Sequence, residues 1–169
     1  MKQVVFLIIC FYLASCEGGA GGKKSALDEF YTDKGSYDMA RIPLIKPYEA
    51  VVPATGDHDW LIHSVTDSVL FTIPGVKGIK VLNDRVILAY GVNTLINYQD
   101  AGEGWFILIP RDNFIKIFTK HEEYINWLDC HGIKKEPSLY EPIRVYDYFK
   151  FHETVDWGKI DGNKWFFNL

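Results

Sequence analysis

The chain has 169 residues, of which 48% are hydrophobic and 15% aromatic, and its formal net charge at pH 7 is −4. That length suits a single domain, and so much apolar material excludes a disordered chain outside any tether. Mild acidity, with adjacent lysines only at Lys23-Lys24 and Lys134-Lys135, excludes a nucleic-acid binder.

The chain opens as a secretory signal does. Lys2 supplies a positive start, Val4 to Leu13 is an uncharged apolar run, and Ala14-Ser15 are small residues before Cys16. The run is too short for a permanent membrane span. Leu13-Ala14-Ser15-Cys16 resembles the lipobox of bacterial lipoproteins, and the resemblance covers residues 1–16. It implies that residues 1–15 are a signal peptide, and that Cys16 becomes an acylated amino terminus holding the protein at the cell envelope. Two or more acyl chains give stable anchoring where one is marginal. Glu17 stands where a retention signal would place Asp, so the outer membrane is the expected address, with either leaflet open. Residues 16–26 then comprise the lipidated cysteine and a Gly-rich flexible tether. Losing Lys2 leaves 17 positive and 22 negative side chains, a balance of −5.

Residues 27–169 are expected to form one globular domain. Leu27 to Tyr31 can make a helical turn. Pro43 and Pro47 push their preceding residues towards extended geometry, so Ile42 to Val52 is expected to lie extended over the core. Trp60–Ser64 and Val69–Ile73 are short runs of β-formers, with Trp60 and Ile62 facing one way and Leu61 and His63 the other. Gly78–Leu82 and Arg85–Tyr90 flank Asn83-Asp84, whose side chains tolerate positive φ in a tight hairpin. Thr94–Tyr98, Trp105–Ile109 and Phe114–Phe118 follow as strands, with Asp100–Gly104 as a flexible connection. Short strands joined in succession by short turns predict an antiparallel meander.

One helix is predicted over Lys120–His131, capped by Thr119 with Glu122 three residues on. Tyr124, Trp127 and Leu128 share a face, and Gly132 followed by Ile133 suits a Schellman ending. Residues 143–151 are read as a second helix packing Val145, Tyr148, Phe149 and His152; a strand alternating through the same residues is the alternative. The architecture is therefore α+β, a mostly antiparallel sheet with one or two helices packed on one face. The aromatic stretch Trp157–Leu169 is expected to dock on the domain.

Chemistry is harder to find. His58, Asp59 and His63 lack a third metal ligand nearby in sequence, so no metal or other cofactor is expected. Cys130 and His131 are neighbours about 100° apart on a helix and cannot form a dyad. A single leftover thiol in an exported domain is expected to be buried as a small apolar residue. Gly102-Glu103-Gly104 and Gly75–Gly78 lack the order of a phosphate-binding loop, and acid pairs such as Asp57/Asp59 or Glu122/Glu123 occur in any chain with 22 acids. No catalytic residue is therefore assigned.

Aromatics are abundant, with eleven Phe, ten Tyr and five Trp. A core of large side chains is the plainer reading, and an exposed stacking face the alternative. The segment Asn97–Gly104 with the following tryptophan combines charge with an aromatic, so Tyr98, Asp100, Glu103 and Trp105 are the candidate partner-binding residues. The expectation is an envelope lipoprotein that binds a protein without catalysis, as an immunity-type inhibitor or an accessory subunit of an envelope complex. The alternative is an envelope hydrolase or carbohydrate-binding protein acting on peptidoglycan or glycan, which needs two acids in one pocket.

Overall fold

The computed structural model describes residues 27–53, 59–66, 72–92, 95–96, 99–100 and 102–160. The signal, Cys16 and the tether lie outside them, as does 161–169. The chain starts with α1 (Glu29–Thr32), capped by Asp28, whose side chain accepts from the Phe30 N–H at 3.0 Å. Seven strands of the main sheet run in chain order as β1 (Gly35–Ser36), β2 (Met39–Pro43), β3 (Tyr48–Pro53), β4 (Trp60–Ser64), β5 (Thr72–Leu82), β6 (Val86–Val92) and, later, β9 (Glu103–Ile109). The eighth is β10 (Phe114–Phe118), and all neighbours pair antiparallel in the order β1-β2-β3-β4-β5-β6-β9-β10. Between β6 and β9 a two-stranded ribbon forms from β7 (Leu95–Ile96) and β8 (Gln99–Asp100). The antiparallel meander is as the sequence led us to expect.

Two local expectations change. Ile42–Val52 is no single extended segment: the chain reverses after Pro43, with the Tyr48 N–H bonded to the Ile45 carbonyl at 2.8 Å, and β3 pairs back on β2. Prolines restrict the residues before them but do not say where a chain turns. The Asn83-Asp84 turn forms, with φ of 49° and 53°. Arg85 joins it, its N–H returning to the Leu82 carbonyl at 3.0 Å, so pairing resumes at Leu82↔Val86.

β5 is the strand that bends the sheet. Its register slips against both neighbours, between Trp60 and Ile62 on β4 and between Val76 and Gly78 along β5 itself. Such bulges kink a strand and increase its twist. Gly75 makes the bend possible: its φ is +60°, and a Cβ there would sit 2.0 Å from the Val92 carbonyl oxygen.

The helices α2 (His121–Cys130) and α3 (Pro142–Lys150) cover the sheet, but they take opposite faces and do not share one. Ile87, Ala89, Phe106 and Leu108 join Val145 under α3, whereas Leu88, Tyr90, Trp105 and Ile107 join Tyr124 and Leu128 under α2. Side chains alternate along a strand, so β6 and β9 are buried on both faces and read as unbroken apolar runs. The reading of 143–151 as helix holds, with Pro142 in its first turn and Pro142, Val145 and Phe149 buried. His152 lies outside, stacked on Tyr148 at 3.8 Å between ring centroids.

The Schellman ending of α2 is present: Ile133 N–H reaches the Leu128 carbonyl at 2.9 Å, Gly132 N–H reaches Asp129 at 3.0 Å, and Gly132 has φ +81°. The predicted capping box is absent. Lys120 is the N-cap and makes no side-chain cap bond, because Thr119 and Lys120 are spent in leaving β10, which ends at Phe118. Cys130 is exposed, against the expectation of a buried thiol. It lies two residues past Leu128, about 200° around the helix from the buried stripe.

At the β2–β4 end a charged group replaces apolar packing on one face. Arg41 and Glu49 are each 5% exposed and form a direct ion pair through Arg41 Nε. The Arg41 guanidinium also donates to the carbonyls of Phe30 at 2.9 Å and Asp33 at 2.5 Å, which ties α1 to the sheet. Glu49 holds His63 Nε2 with its other oxygen at 2.8 Å. Removing one member leaves a desolvated charge, so Arg41→Met is expected to cost about 3–5 kcal/mol in urea unfolding. The double change Arg41→Met with Glu49→Leu should recover most of that loss; a double variant no more stable than the single one would refute the assignment.

Candidate functional site

The residues singled out from sequence cluster around the hairpin made by β6 and β9. Tyr90↔Trp105, Gly91↔Gly104 and Val92↔Glu103 are successive pairs, and each pair of numbers sums to 195. Leu95↔Asp100 and Ile96↔Gln99 keep the same sum. One hairpin therefore runs in continuous register from the sheet into the β7–β8 ribbon, and residues 97–98 fall between its last paired positions. Asp100 and Glu103 are thus strand residues, where a flexible connection had been expected. Beyond Val92 and Glu103 the ribbon pairs with no third strand among the described residues.

The base of this arm is rigid. Trp105 is 4% exposed, packed between Tyr90 at 5.2 Å and His121 at 5.0 Å, with Tyr124 beyond. It is a core residue and presents no stacking face, which corrects its place among the contact residues. Glu103 accepts a 2.6 Å hydrogen bond from the Tyr90 hydroxyl, fixing the point where the arm leaves the sheet. His121 in turn bonds Glu136 at 2.9 Å, so the first turn of α2 is pinned against Trp105. Tyr98, like Cys16, lies outside the described residues.

The remaining sequence candidates disperse. His58 lies outside the described residues, Asp59 pairs with Lys77 at 2.5 Å, and His63 belongs to the Glu49 network. Among the described residues no three His, Cys, Asp or Glu side chains converge as metal ligands do. His131 stacks on Trp127 at 3.6 Å and binds that residue's carbonyl through Nδ1, turned away from any role with Cys130. Among the described residues, the carboxyls of Asp28 and Asp156 are lowered, the first chiefly by its hydrogen bond from Lys46 and the second chiefly by that from Lys159. A glycosidase acid needs the opposite shift. Comparison with protein-family models, curated proteins and solved structures matches this chain to none of them. The geometry alone must carry the reading.

Two features had no local signature. The Arg41–Glu49–His63 group spans three strands, and only the alternation that sets Arg41 opposite Ile42 and Glu49 opposite Ala50 hints at it. The second is an apolar recess of ≈630 Å³ walled by Trp60, Val76, Gly78, Leu139, Pro142 and Ile143. It opens where β4 stops at Trp60 and the free edge of β5 is bridged by Tyr140, which exchanges two 2.9 Å bonds with Ile79. Gly78 lets Leu139 pack closely there, since a Cβ would lie 3.0 Å from the Leu139 side chain.

Phenols at the arm's base hold their protons tightly. Burial, reinforced by the bond to Glu103, pushes Tyr90 up to about 12, and burial with the Glu136 charge raises Tyr124 as well. The Tyr124 hydroxyl finds no hydrogen-bond partner among the described residues. A raised folded value means a contribution fully present below pH 10.0, the ordinary phenol value, and lost as pH climbs through the folded value. Urea stability is therefore expected to fall between pH 10 and about 12, and less steeply for Tyr90→Phe. Equal slopes for parent and variant would remove Tyr90 from that role.

Proposed function

We propose that this chain is an envelope lipoprotein, anchored through Cys16 at the outer membrane, whose domain binds a protein partner without catalysis. An immunity-type inhibitor and an accessory subunit of an envelope complex are the two forms this takes. The observation that carries the reading is the β7–β8 arm. A two-stranded hairpin is marginal in water by itself and is stabilised by a third strand or a covering element. Here the β7–β8 ribbon keeps the register of the β6–β9 pairing and pairs with no third strand among the described residues, on a base locked by Tyr90, Glu103 and Trp105. A partner that lays a surface against it completes the packing, and main-chain pairing along an arm is a common mode of recognition.

The test uses the constant register. Residues 94–101 are replaced by Asn-Gly, a two-residue turn that closes the hairpin between positions 93 and 102 without changing any pair in the main sheet. The intact lipidated protein should crosslink one stoichiometric envelope protein. The shortened arm should bind it at least about tenfold more weakly, a loss of about 1.4 kcal/mol, with an unchanged urea midpoint. Undiminished capture by the shortened protein would rule out the arm, and recovery of glycan in place of protein would favour the carbohydrate reading.

A further inference from the structure

We propose that the domain rests on the bilayer that holds its anchor, through a rim formed by Leu27, Tyr37, Met39 and Val65; this rests on lipidation at Cys16. Among the described residues, six large hydrophobic side chains stand exposed. Ile143 lies on α3 and Phe151 just past its end, while the other four lie on the β1–β4 side of the sheet. There a cavity of ≈630 Å³ is lined by Asp28, Met39 and Val65, with Gly35 and Ser36. Leu27 precedes Asp28, and Tyr37 sits at the turn between the paired Ser36 and Met39. Tyr37 is the extreme case, 102% exposed with nothing packed over its ring.

This is also the end at which the tether enters. Residues 17–26 separate Cys16 from Leu27, and ten residues reach at most about 36 Å. The entry point is not loose. Arg41 grips the Phe30 and Asp33 carbonyls, its guanidinium lies over the Phe30 ring at 4.7 Å, and Lys46 holds Asp28 at 2.9 Å. A short tether fastened to a rigid corner keeps that corner near the membrane, where contact becomes intramolecular and a small patch suffices. Tyrosine is enriched at this depth, because its ring suits the headgroup layer while its hydroxyl stays wet.

Charge decides what kind of lipid contact this is. Asp28, Glu29, Asp33 and Glu49 line the cavity with Arg41 and Lys46, and Lys23 and Lys24 precede Leu27 in the tether, four negative groups to four positive. Anionic lipid therefore offers this corner no net attraction, and the contact is apolar and interfacial, insensitive to salt.

The experiment places an environment-sensitive fluorophore on the full lipidated chain, either at Tyr37→Cys in a Cys130→Ser background or at the native, exposed Cys130. The protein is reconstituted into phosphatidylethanolamine–phosphatidylglycerol vesicles with and without brominated lipid. The expected result is blue-shifted emission at position 37 that brominated lipid quenches and added salt leaves unchanged, with water-like emission at Cys130, which is exposed on α2 beside β10, at the other edge of the sheet. If the chain floats with the vesicles while position 37 stays water-like, the rim is not a membrane contact and the anchor stands. If the chain does not float, lipidation fails and the proposal falls with it. Shielding of position 37 in an unanchored Cys16→Ala chain would assign the rim to a second protein copy and overturn the proposal.

Discussion

The organising constraint in this fold is that its two central strands are apolar on both faces. β6 and β9 bury every residue between their ends, and half of those side chains point each way. A meander by itself can hide only one face. The chain must therefore place one helix on each side, and having laid α2 over Leu88, Trp105 and Ile107 it has to cross the sheet before α3 can cover Ile87, Phe106 and Leu108. It crosses through the sheet's own margin, where β4 ends short of β5 and Tyr140 bonds the open edge at Ile79. The bulges around Gly75 to Lys77 bend β5 at this place, and the apolar recess is what the crossing leaves between β4 and the start of α3.

The other end of the sheet is built on a different principle. On β2 and β3 the face away from α3 carries Arg41 and Glu49, each deeply buried. An ion pair of this kind adds little to net stability, since desolvating two charges offsets most of their attraction. What it supplies is position. A guanidinium committed to Glu49, to two carbonyls and to the Phe30 ring can be satisfied in one arrangement of α1, and that arrangement sets where the chain enters the domain. Apolar packing alone would tolerate α1 in several seats.

These two ends give the molecule an orientation. The entry corner lies on the β1–β4 side, whereas the hairpin arm leaves the sheet at Val92 on β6 and Glu103 on β9, two and three strands beyond β4. The two proposed contacts, corner and arm, thereby fall on different strands of one sheet.

Much of this was legible locally. Strand alternation placed Trp60 and Ile62 opposite His63, the Asn83-Asp84 turn identified a hairpin, and Gly132-Ile133 ended α2 where the backbone needs positive φ. These features depend on neighbours within a few residues, so periodicity and turn chemistry report them. The α+β class and the antiparallel meander follow from the same signals. Other features were decided only in three dimensions. Trp105 passed for a contact residue because sequence does not show that Tyr90, His121 and Tyr124 close over it. The Arg41–Glu49–His63 group, the opposite placement of α2 and α3 and the recess at Gly78 all join segments far apart in the chain. Such contacts depend on strand order and register, and a one-residue change in register would turn every side chain of a strand to the other face. Composition and spacing determined what elements this protein has; tertiary structure decided which of their residues are inside.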